Sequence, residues 1–218
     1  MAYTGAVKVG GPADVHELTD LIISKIAVGP MNNNAYLLRC RATDEQVLID
    51  AAAEPDTLLG LIGEGGISSV ITTHQHGDHW GALGEVVERT GARTFAGRDD
   101  AAGIPVPTDV LVDDGDTLSV GRVTLTARHL KGHTPGSIAL VYDDPHGHPH
   151  VFTGDCLFPG GVGNTHGDAA HFTSLIDDVE SKLFAQLADE TWVYPGHGAD
   201  TTLGAERPHL AEWRERGW

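Results

Sequence analysis

Residues 72–79 read Thr-Thr-His-Gln-His-Gly-Asp-His and come directly after an apolar run that predicts a buried strand. Four potential metal ligands, His74, His76, Asp78 and His79, therefore lie within six residues. In an extended or turning segment His74 and His76 can aim both imidazoles at one ion, because alternate side chains share a face. Asp78 and His79 cannot also join that tetrahedral site, so the crowding predicts two ions that share ligands. Any fold for this chain must therefore place a metal site at this strand end.

Three further candidate ligands lie in the same kind of position, at the end of a β-like run and beside glycine. They are His133 in Gly-His-Thr-Pro-Gly, Asp155 in Thr-Gly-Asp and His197 in Pro-Gly-His-Gly. Glycine lets the backbone turn sharply and approach a metal closely. Loops at strand ends are also where a rigid scaffold carries its binding groups. Imidazole and carboxylate ligands suit zinc, with iron or manganese as alternatives, so the sequence predicts two Zn²⁺ ions.

Short apolar runs bounded by Gly, Pro, Asn or charged residues predict many strands. The predicted strands are residues 21–28, 35–40, 46–50, 68–73, 93–96, 110–112, 117–120, 123–129, 138–142, 150–153 and 191–194. Helices are predicted at residues 54–63, 78–90, 172–188 and 205–216. Runs of strands with interspersed helices predict a layered α/β or α+β sandwich. The length of 218 residues favours one domain over residues 1–218, with the polar, Gly-rich residues 1–18 as a loose N-terminal arm.

The chain is strongly acidic, with 14 Lys and Arg against 31 Asp and Glu and a formal net charge of −17. A chain of this charge does not neutralise phosphates, which argues against a nucleic-acid partner. An anionic membrane surface would repel it, and no apolar run is long enough for a transmembrane helix. The first residues lack the basic and apolar regions of a signal peptide, and two cysteines make no disulfide framework. These features predict a cytoplasmic protein.

The ordered ligand set resembles that of the metallo-β-lactamase superfamily, and the likeness extends over residues 21–204. The resemblance implies a four-layer αβ/βα sandwich with the metals at one edge. It assigns His74, His76 and His133 to the first ion, Asp78, His79 and His197 to the second, and Asp155 to a bridging position between them. It also implies that a hydroxide formed from a shared water attacks a carbonyl carbon, because two cations lower the pKa of that water. Asp78 has the implied catalytic role of orienting a water that assists the leaving group.

The segment Phe-Thr-Gly-Asp-Cys-Leu-Phe at residues 152–158, with Gly-x-Gly-Asn-Thr after it, is most similar to glyoxalase II and its short, single-domain relatives. The reaction implied is the hydrolysis of a small-molecule thioester to an acid and a thiol. The loop that follows Asp155 borders the substrate cleft in such relatives. Asn164, His166 and His171 are therefore the candidate substrate-binding residues. The segment at residues 31–34, Met-Asn-Asn-Asn, predicts a turn that faces the same cleft.

The identity of the thiol is less well indicated, because this chain departs from glyoxalase II in two places. Asn164 replaces the basic residue that binds a glutathione carboxylate in that family, and only 21 residues follow His197 where glyoxalase II adds a C-terminal helical domain. An acidic protein without that cation binds an anionic tripeptide poorly. These departures favour a neutral, sugar-based thiol such as mycothiol.

Other functions of the same scaffold remain open. A persulfide dioxygenase would use one iron at the positions of His74, His133 and Asp155, but its Gly-Arg-Thr-Asp pattern is replaced here by Gly-Asn-Thr-His at residues 163–166. A lactonase of the same fold is another alternative, and a non-catalytic metal-binding protein is a third. The sequence is also compatible with a homodimer, although no face of the chain indicates one.

Overall fold

The structure is a computed structural model that describes residues 2–217. Two β-sheets face each other, and helices cover their outer faces. Cys40 and Cys156 are both buried and unpaired, so no disulfide links the layers. No helix within residues 2–217 is long and apolar enough to cross a membrane. The predicted α/β sandwich of the four-layer type is confirmed.

The first sheet has seven strands in sequential order. Its strands are β1 (Asp14–Glu17), β2 (Leu21–Val28), β3 (Asn33–Cys40), β4 (Gln46–Ile49), β5 (Ser69–Thr72), β6 (Arg93–Gly97) and β7 (Val110–Val112). The pairs from β1 to β4 are antiparallel, whereas β4 to β7 run parallel. Parallel neighbours place the carboxyl ends of β4, β5 and β6 at one edge, and the His74–His79 segment begins there.

The second sheet has six strands in the order β15-β14-β11-β10-β9-β8. Its strands are β8 (Thr117–Val120), β9 (Val123–His129), β10 (Ile138–Tyr142), β11 (His150–Gly154), β14 (Trp192–Pro195) and β15 (Thr201–Thr202). A small hairpin of β12 (Leu157–Phe158) and β13 (Gly161–Val162) follows β11. Only β11 and β14 pair in parallel within this sheet. Their carboxyl ends therefore bring Asp155 and His197 to the same edge as the first sheet's ligands.

Three buried clusters hold the layers together. Between the sheets, Leu38, Leu125 and Phe152 are fully buried, as the alternation of apolar residues in these strands requires. The outer face of the first sheet packs against α1 (Pro55–Ile62) and α2 (Leu83–Thr90). The outer face of the second packs against α3 (Ala169–Val179) and α5 (Leu210–Arg216). Burial of each large apolar side chain contributes roughly 1.5–3 kcal/mol, so these clusters form a rigid base for the loops.

Two predicted helices begin or end at other residues than the sequence indicates. The helix predicted at residues 78–90 begins only at Leu83, and residues 77–79 form a short 3₁₀ turn instead. The delay arises because the backbone N–H of Ala82 donates to the Ala51 carbonyl oxygen, which ties this stretch to the loop after β4 before the helix starts. The helix predicted at residues 172–188 starts at Ala169, capped by Asp168, and changes after Val179 to a π-helical turn.

The predicted C-terminal helix at residues 205–216 is divided into three short pieces. They are α4 (Leu203–Glu206), a 3₁₀ turn at Arg207–His209, and α5. Pro208 lies in the middle piece, and its lack of a backbone N–H prevents one continuous α-helix.

The prediction of a loose N-terminal arm over residues 1–18 is wrong for the described part of that segment. Residues 14–17 form β1 and pair with β2, which leaves one face of the strand half-buried and the other exposed. Tyr3 stacks on His16 with a ring distance of 4.4 Å. The polar, Gly-rich composition did not predict this ordered segment, because hydrogen bonds and ring contacts fix it more than an apolar stripe does.

A buried polar contact between the sheets gives the fold a dependence on pH. The Tyr194 hydroxyl lies 2.8 Å from His16 Nδ1 and 3.0 Å from His150 Nδ1. Burial lowers the pKa of His150 to about 3, and the nearby His148 and His16 act in the same direction. An unfolded histidine has a pKa of about 6.5, so between these values the unfolded chain binds the extra proton.

We therefore expect acid to destabilise the fold through His150. As pH falls from about 6.5 towards 3, this group lowers the free energy of unfolding with a slope of up to about 1.4 kcal/mol per pH unit. Denaturant unfolding between pH 7 and pH 4 measures that slope, and His150→Gln should make it shallower. His146→Gln is the control: His146 is half exposed in the β10–β11 turn, where its Nε2 lies 3.2 Å from Asp20 Oδ2, and its replacement should not make the slope shallower. Equal slopes for wild type and His150→Gln would contradict the assignment.

Candidate metal centre

The structure brings all seven predicted ligands together at one edge of the two sheets. They divide into three overlapping groups whose ligand atoms lie within 4.8 Å of one another: His74, His76 and His133; His74, His79 and Asp155; and Asp78, His79 and His197. The loops after β5, β9, β11 and β14 supply these residues.

The first group consists of three imidazoles. His74 Nε2 lies 3.1 Å from His76 Nδ1, and the rings of His76 and His133 are 4.6 Å apart. His133 Nδ1 donates to the Asn164 carbonyl oxygen at 2.8 Å, which leaves Nε2 as the nitrogen with a free lone pair. That Nε2 is buried and has no hydrogen-bond partner. Burial also keeps the pKa of His74 well below the usual histidine value, so its imidazole is neutral and able to bind a metal.

Asp78, His79 and His197 are called the second group from here on, and they consist of a carboxylate and two imidazoles. His197 Nε2 lies 3.3 Å from both Asp78 Oδ2 and His79 Nε2. Burial works against ionisation of Asp78, but a hydrogen bond from Asn33 and the charge of His79 lower its pKa below the usual aspartate value. His197 Nδ1 donates to the Met31 carbonyl oxygen at 3.0 Å, so its Nε2 faces the group.

Asp155 lies between the two groups. Its Oδ1 is 3.4 Å from His79 Nε2, and its Oδ2 is 3.4 Å from His197 Nε2 and 3.8 Å from His133 Nε2. Burial would raise the pKa of Asp155, but His197 and His79 outweigh it and hold that pKa far below the usual value. Oδ1 is buried without a hydrogen-bond partner. An ionised carboxylate with an unpartnered buried oxygen is suited to bridge two cations.

Glycines permit this close approach. A Cβ at residue 196 would lie 2.1 Å from Asp155 Oδ1, and one at residue 163 would lie 1.8 Å from the Asp155 carbonyl oxygen. Both distances are far below van der Waals contact. Gly196, next to His197, and Gly163 are therefore both required by the crowding around Asp155.

Asp50 is a functional residue that the sequence analysis did not identify. It follows β4 with a φ of 58°, and its Oδ2 lies 2.8 Å from His79 Nδ1. The Thr73 backbone N–H and hydroxyl also donate to this carboxylate, at 2.7 and 2.8 Å. Burial lowers the pKa of His79, but Asp50 and Asp155 reverse this and raise it to about 10. A metal at His79 must therefore displace a proton, while Asp50 fixes which nitrogen faces the metal.

Two further residues that the sequence analysis left without a role support the ligand loops. Asn33 Nδ2 donates to Asp78 Oδ2 at 2.8 Å, so the segment at residues 31–34 faces the site as predicted, but the turn ends at Asn32 and Asn33 begins β3. Asp100 is fully buried and joins the two loops of the first group. It accepts from the Gln75 backbone N–H at 3.0 Å and from Gly136 N–H at 2.6 Å. For Asp50, the one signal in the sequence that could have predicted its role is a charged residue at the end of a strand.

The three candidate substrate residues lie around His133. Asn164 Oδ1 accepts from the His166 backbone N–H at 2.7 Å, so its carboxamide oxygen is engaged within its own loop. The exposed His166 has its ring 6.4 Å from that of His76. His171, in the first turn of α3, lines a cleft of about 110 Å³ with His133 and Lys131. Their location fits the rim of the site, and their contact with substrate stays a prediction.

The residues fit two divalent cations. Five imidazoles and two carboxylates are the ligand types that zinc and iron accept. Two of the donor atoms, His133 Nε2 and Asp155 Oδ1, are buried without a partner in the protein. Leaving buried polar atoms unpaired costs roughly 1–3 kcal/mol each, which bound cations would relieve.

Comparison with known proteins gives a consistent result. A family described as the metallo-beta-lactamase superfamily matches residues 28–197. The chain is 32% identical over 203 residues to the probable metallo-hydrolase YqgX of Bacillus subtilis (strain 168), covering 84% of this chain and 93% of that protein. It is 35% identical over 180 residues to the hydroxyacylglutathione hydrolase of Polaromonas sp. (strain JS666), covering 81% of this chain and 66% of that enzyme.

A solved structure extends the likeness to the fold. The crystal structure of TTHA1623 in a di-iron-bound form superposes with a TM-score of 0.68 at 32% sequence identity. The superposition covers 84% of this chain and 96% of that one. A relative that binds two irons agrees with the paired ligand groups found in this chain.

Proposed function

Since the chain belongs to the metallo-beta-lactamase superfamily, we propose that this metal-dependent hydrolase holds two zinc ions and cleaves a thioester of a low-molecular-weight thiol. The observation that carries the proposal is the position of Asp155 between two complete ligand groups. The likeness to a hydroxyacylglutathione hydrolase supports the thioester as the bond that is cleaved. Iron is the alternative metal, supported by the di-iron relative.

When bound, the two ions would supply a hydroxide at neutral pH and polarise the carbonyl group of the substrate. The protein's own contribution is to fix the ligands. Asp50 holds the ring of His79, and the Asn164 carbonyl oxygen holds that of His133. This leaves their Nε2 atoms directed at the site, so no rearrangement is needed during reaction.

The protonation state of Asp78 favours a thioester as the substrate. Asn33 Nδ2 donates to Asp78 Oδ2 at 2.8 Å and favours the ionised carboxylate, which accepts hydrogen bonds and does not donate a proton. A thiol has a pKa of about 8.5, so a thiolate leaves without a strong proton donor nearby. An amide nitrogen needs such a donor, because its anion is a far poorer leaving group.

The rim of the site supports a thiol carrier without strong negative charge. The Asn164 side chain carries no charge, and its carboxamide oxygen accepts from the His166 N–H. The ammonium of Lys131, which lines the cleft beside His133, lies 4.0 Å from Asp99 Oδ2, and this carboxylate offsets its charge. Met31 is 60% exposed beside the site, and the Phe158 ring lies 6.4 Å from that of His197. The overall charge of −17 adds a repulsive background for anionic ligands. We therefore extend the proposal to a neutral, sugar-based thiol of the mycothiol type.

Thioester assays with matched acyl groups test both levels of the proposal. We expect the purified protein to hydrolyse a mycothiol thioester with a higher kcat/KM than the corresponding glutathione thioester. Asn164→Lys should raise kcat/KM for the glutathione thioester about tenfold, because an ammonium would then meet its carboxylates, each such contact being worth about 1–2 kcal/mol. Asn164→Gln lengthens the side chain without adding charge and is the control.

The outcomes separate the carrier from the reaction. Turnover of glutathione thioesters equal to or better than that of mycothiol thioesters would contradict the neutral carrier only. A lack of thioester turnover by the metal-loaded protein, together with hydrolysis of lactones or oxidation of persulfides, would contradict the thioesterase itself.

A further inference from the structure

The backbone at residues 195–200 carries His197 and is fixed by a buried ion pair that involves β2. Lys25, in the middle of β2, is fully buried, and its ammonium lies 2.6 Å from Asp200 Oδ1. The same ammonium donates to the Gly198 carbonyl oxygen at 2.8 Å and to the Gly5 carbonyl oxygen at 2.9 Å. An ammonium has three N–H donors, so each has one acceptor.

The partner carboxylate is equally well satisfied. Asp200 Oδ2 accepts from the Tyr3 hydroxyl at 2.6 Å and from Trp192 Nε1 at 3.0 Å. The Asp200 side chain is only 2% exposed, so both charges are removed from water. A buried pair is stable only when its remaining hydrogen-bonding capacity is met, and Tyr3 and Trp192 supply that here.

The contacts hold the backbone on both sides of His197. Asn34 Nδ2 donates to the carbonyl oxygens of Pro195 and Gly198, at 2.9 and 3.0 Å. The Tyr36 hydroxyl donates to the Pro195 carbonyl oxygen at 2.6 Å. Lys25 therefore completes a set of buried donors that hydrogen-bond to the backbone before and after His197. These hydrogen bonds, together with the one from His197 Nδ1 to the Met31 carbonyl oxygen, fix the position of His197 Nε2.

The buried pair contacts the chain around one ligand of the second group. Lys25 and Asp200 contact the chain that carries His197, which belongs to the second group, whereas Asp100 joins the loops of the first group. The chain around His197 and the loop that carries His133 are thus held by different buried charges.

We propose that the Lys25–Asp200 pair, completed by Tyr3, is a positioning unit that sets the affinity of the second metal site through the backbone around His197. This inference rests on the proposed binuclear site. It assigns a role to the N-terminal segment, because Tyr3 and Gly5 supply a donor and an acceptor to the pair. Residues that orient metal ligands from outside the coordination sphere typically change metal affinity 10- to 100-fold.

Zinc titration of the metal-free, full-length protein against a chromophoric chelator tests the proposal, because it resolves the two binding steps without any activity assay. The double variant Lys25→Met/Asp200→Asn removes both charges, so neither is left buried alone. We expect its second zinc equivalent to bind at least about 10-fold more weakly and its first to stay within about twofold of wild type. Tyr3→Phe keeps the ion pair and should weaken the second equivalent by at least about twofold.

Val120→Ala is the control, since it removes buried apolar contacts in β8, a strand that carries no ligand. It should leave both zinc affinities unchanged while lowering thermal stability. Equal weakening of both equivalents in the variants, or no change in either, overturns the positioning role. If the double variant does not fold, Tyr3→Phe decides alone. Weaker binding of only the second zinc equivalent supports the positioning role, and equal weakening of both or no change overturns it. A wild-type protein that binds only one zinc overturns the binuclear site itself.

Discussion

Asp155→Asn is expected to lower the hydrolytic kcat/KM by about 1,000-fold and to reduce bound metal from two ions to one or none. The substitution keeps the shape of the side chain but removes the negative charge between the two ligand groups, where both oxygens face imidazoles at 3.4 Å. Loss of one preorganised electrostatic group at a reacting centre costs about 10²–10³ in rate. Here the weaker metal binding adds to that loss. Elemental analysis and steady-state kinetics on the same preparation measure both effects.

The control for this prediction is Asp144→Asn. Asp144 is also a buried carboxylate, but it lies in the β10–β11 turn and accepts from the His146 backbone N–H. Its substitution should leave the metal content at two and kcat/KM within about twofold of wild type. Full activity with two metals in Asp155→Asn would show that no bridging carboxylate is needed.

Asp50→Asn is expected to weaken the second metal by about 100-fold and to reduce activity at limiting metal to a similar extent. The Asp50 carboxylate accepts from Thr73 twice and contacts His79 Nδ1 at 2.8 Å. A carboxamide cannot accept all three contacts, because its nitrogen is itself a donor. The ring of His79 would then lose the partner that directs Nε2 towards the metal.

Asp100→Asn provides the matched comparison for Asp50→Asn. Both residues are buried carboxylates that accept several hydrogen bonds, but Asp100 joins the loops of the first ligand group. The two variants should therefore weaken different zinc equivalents in the same titration. If both weaken the same equivalent, or weaken both equally, the separate roles of the two carboxylates are contradicted.

The ligands of the site could be recognised from the sequence because their signal is local. His74, His76, Asp78 and His79 fall within six residues, and His133, Asp155 and His197 each stand beside glycine at a strand end. The pattern of apolar runs also indicated most strands of both sheets, since burial between layers requires them. The fold class followed from those two sources together.

The supporting residues could not be recognised in the same way. Asp50 and Asp100 are single carboxylates without a spacing pattern, and their roles depend on loops that are distant in sequence. The role of Lys25 is harder still to predict from the sequence. A single lysine within an apolar strand is typical of an exposed position on a half-buried strand. Its partner Asp200 is 175 residues away. Only the tertiary structure brings these charges together.

The start of α2 and the presence of β1 were not predicted correctly, for a related reason. The stretch after His79 has helical spacing, but its hydrogen bond to Ala51, in the loop after β4, delays the helix to Leu83. The segment at residues 14–17 has too few apolar residues to indicate a strand, and pairing with β2 creates it. In both places a backbone hydrogen bond to another segment of the chain outweighs the local preference.

The central claim is that two metal ions bind on either side of Asp155. Anomalous diffraction from crystals of tag-free, metal-loaded protein tests it most directly, since exposed histidines such as His146 could add a third, unrelated ion to a bulk count. We expect two peaks about 3.5–4 Å apart, one among His74, His76 and His133 and the other among Asp78, His79 and His197. A single peak at full metal loading, or two peaks without Asp155 between them, would contradict the account.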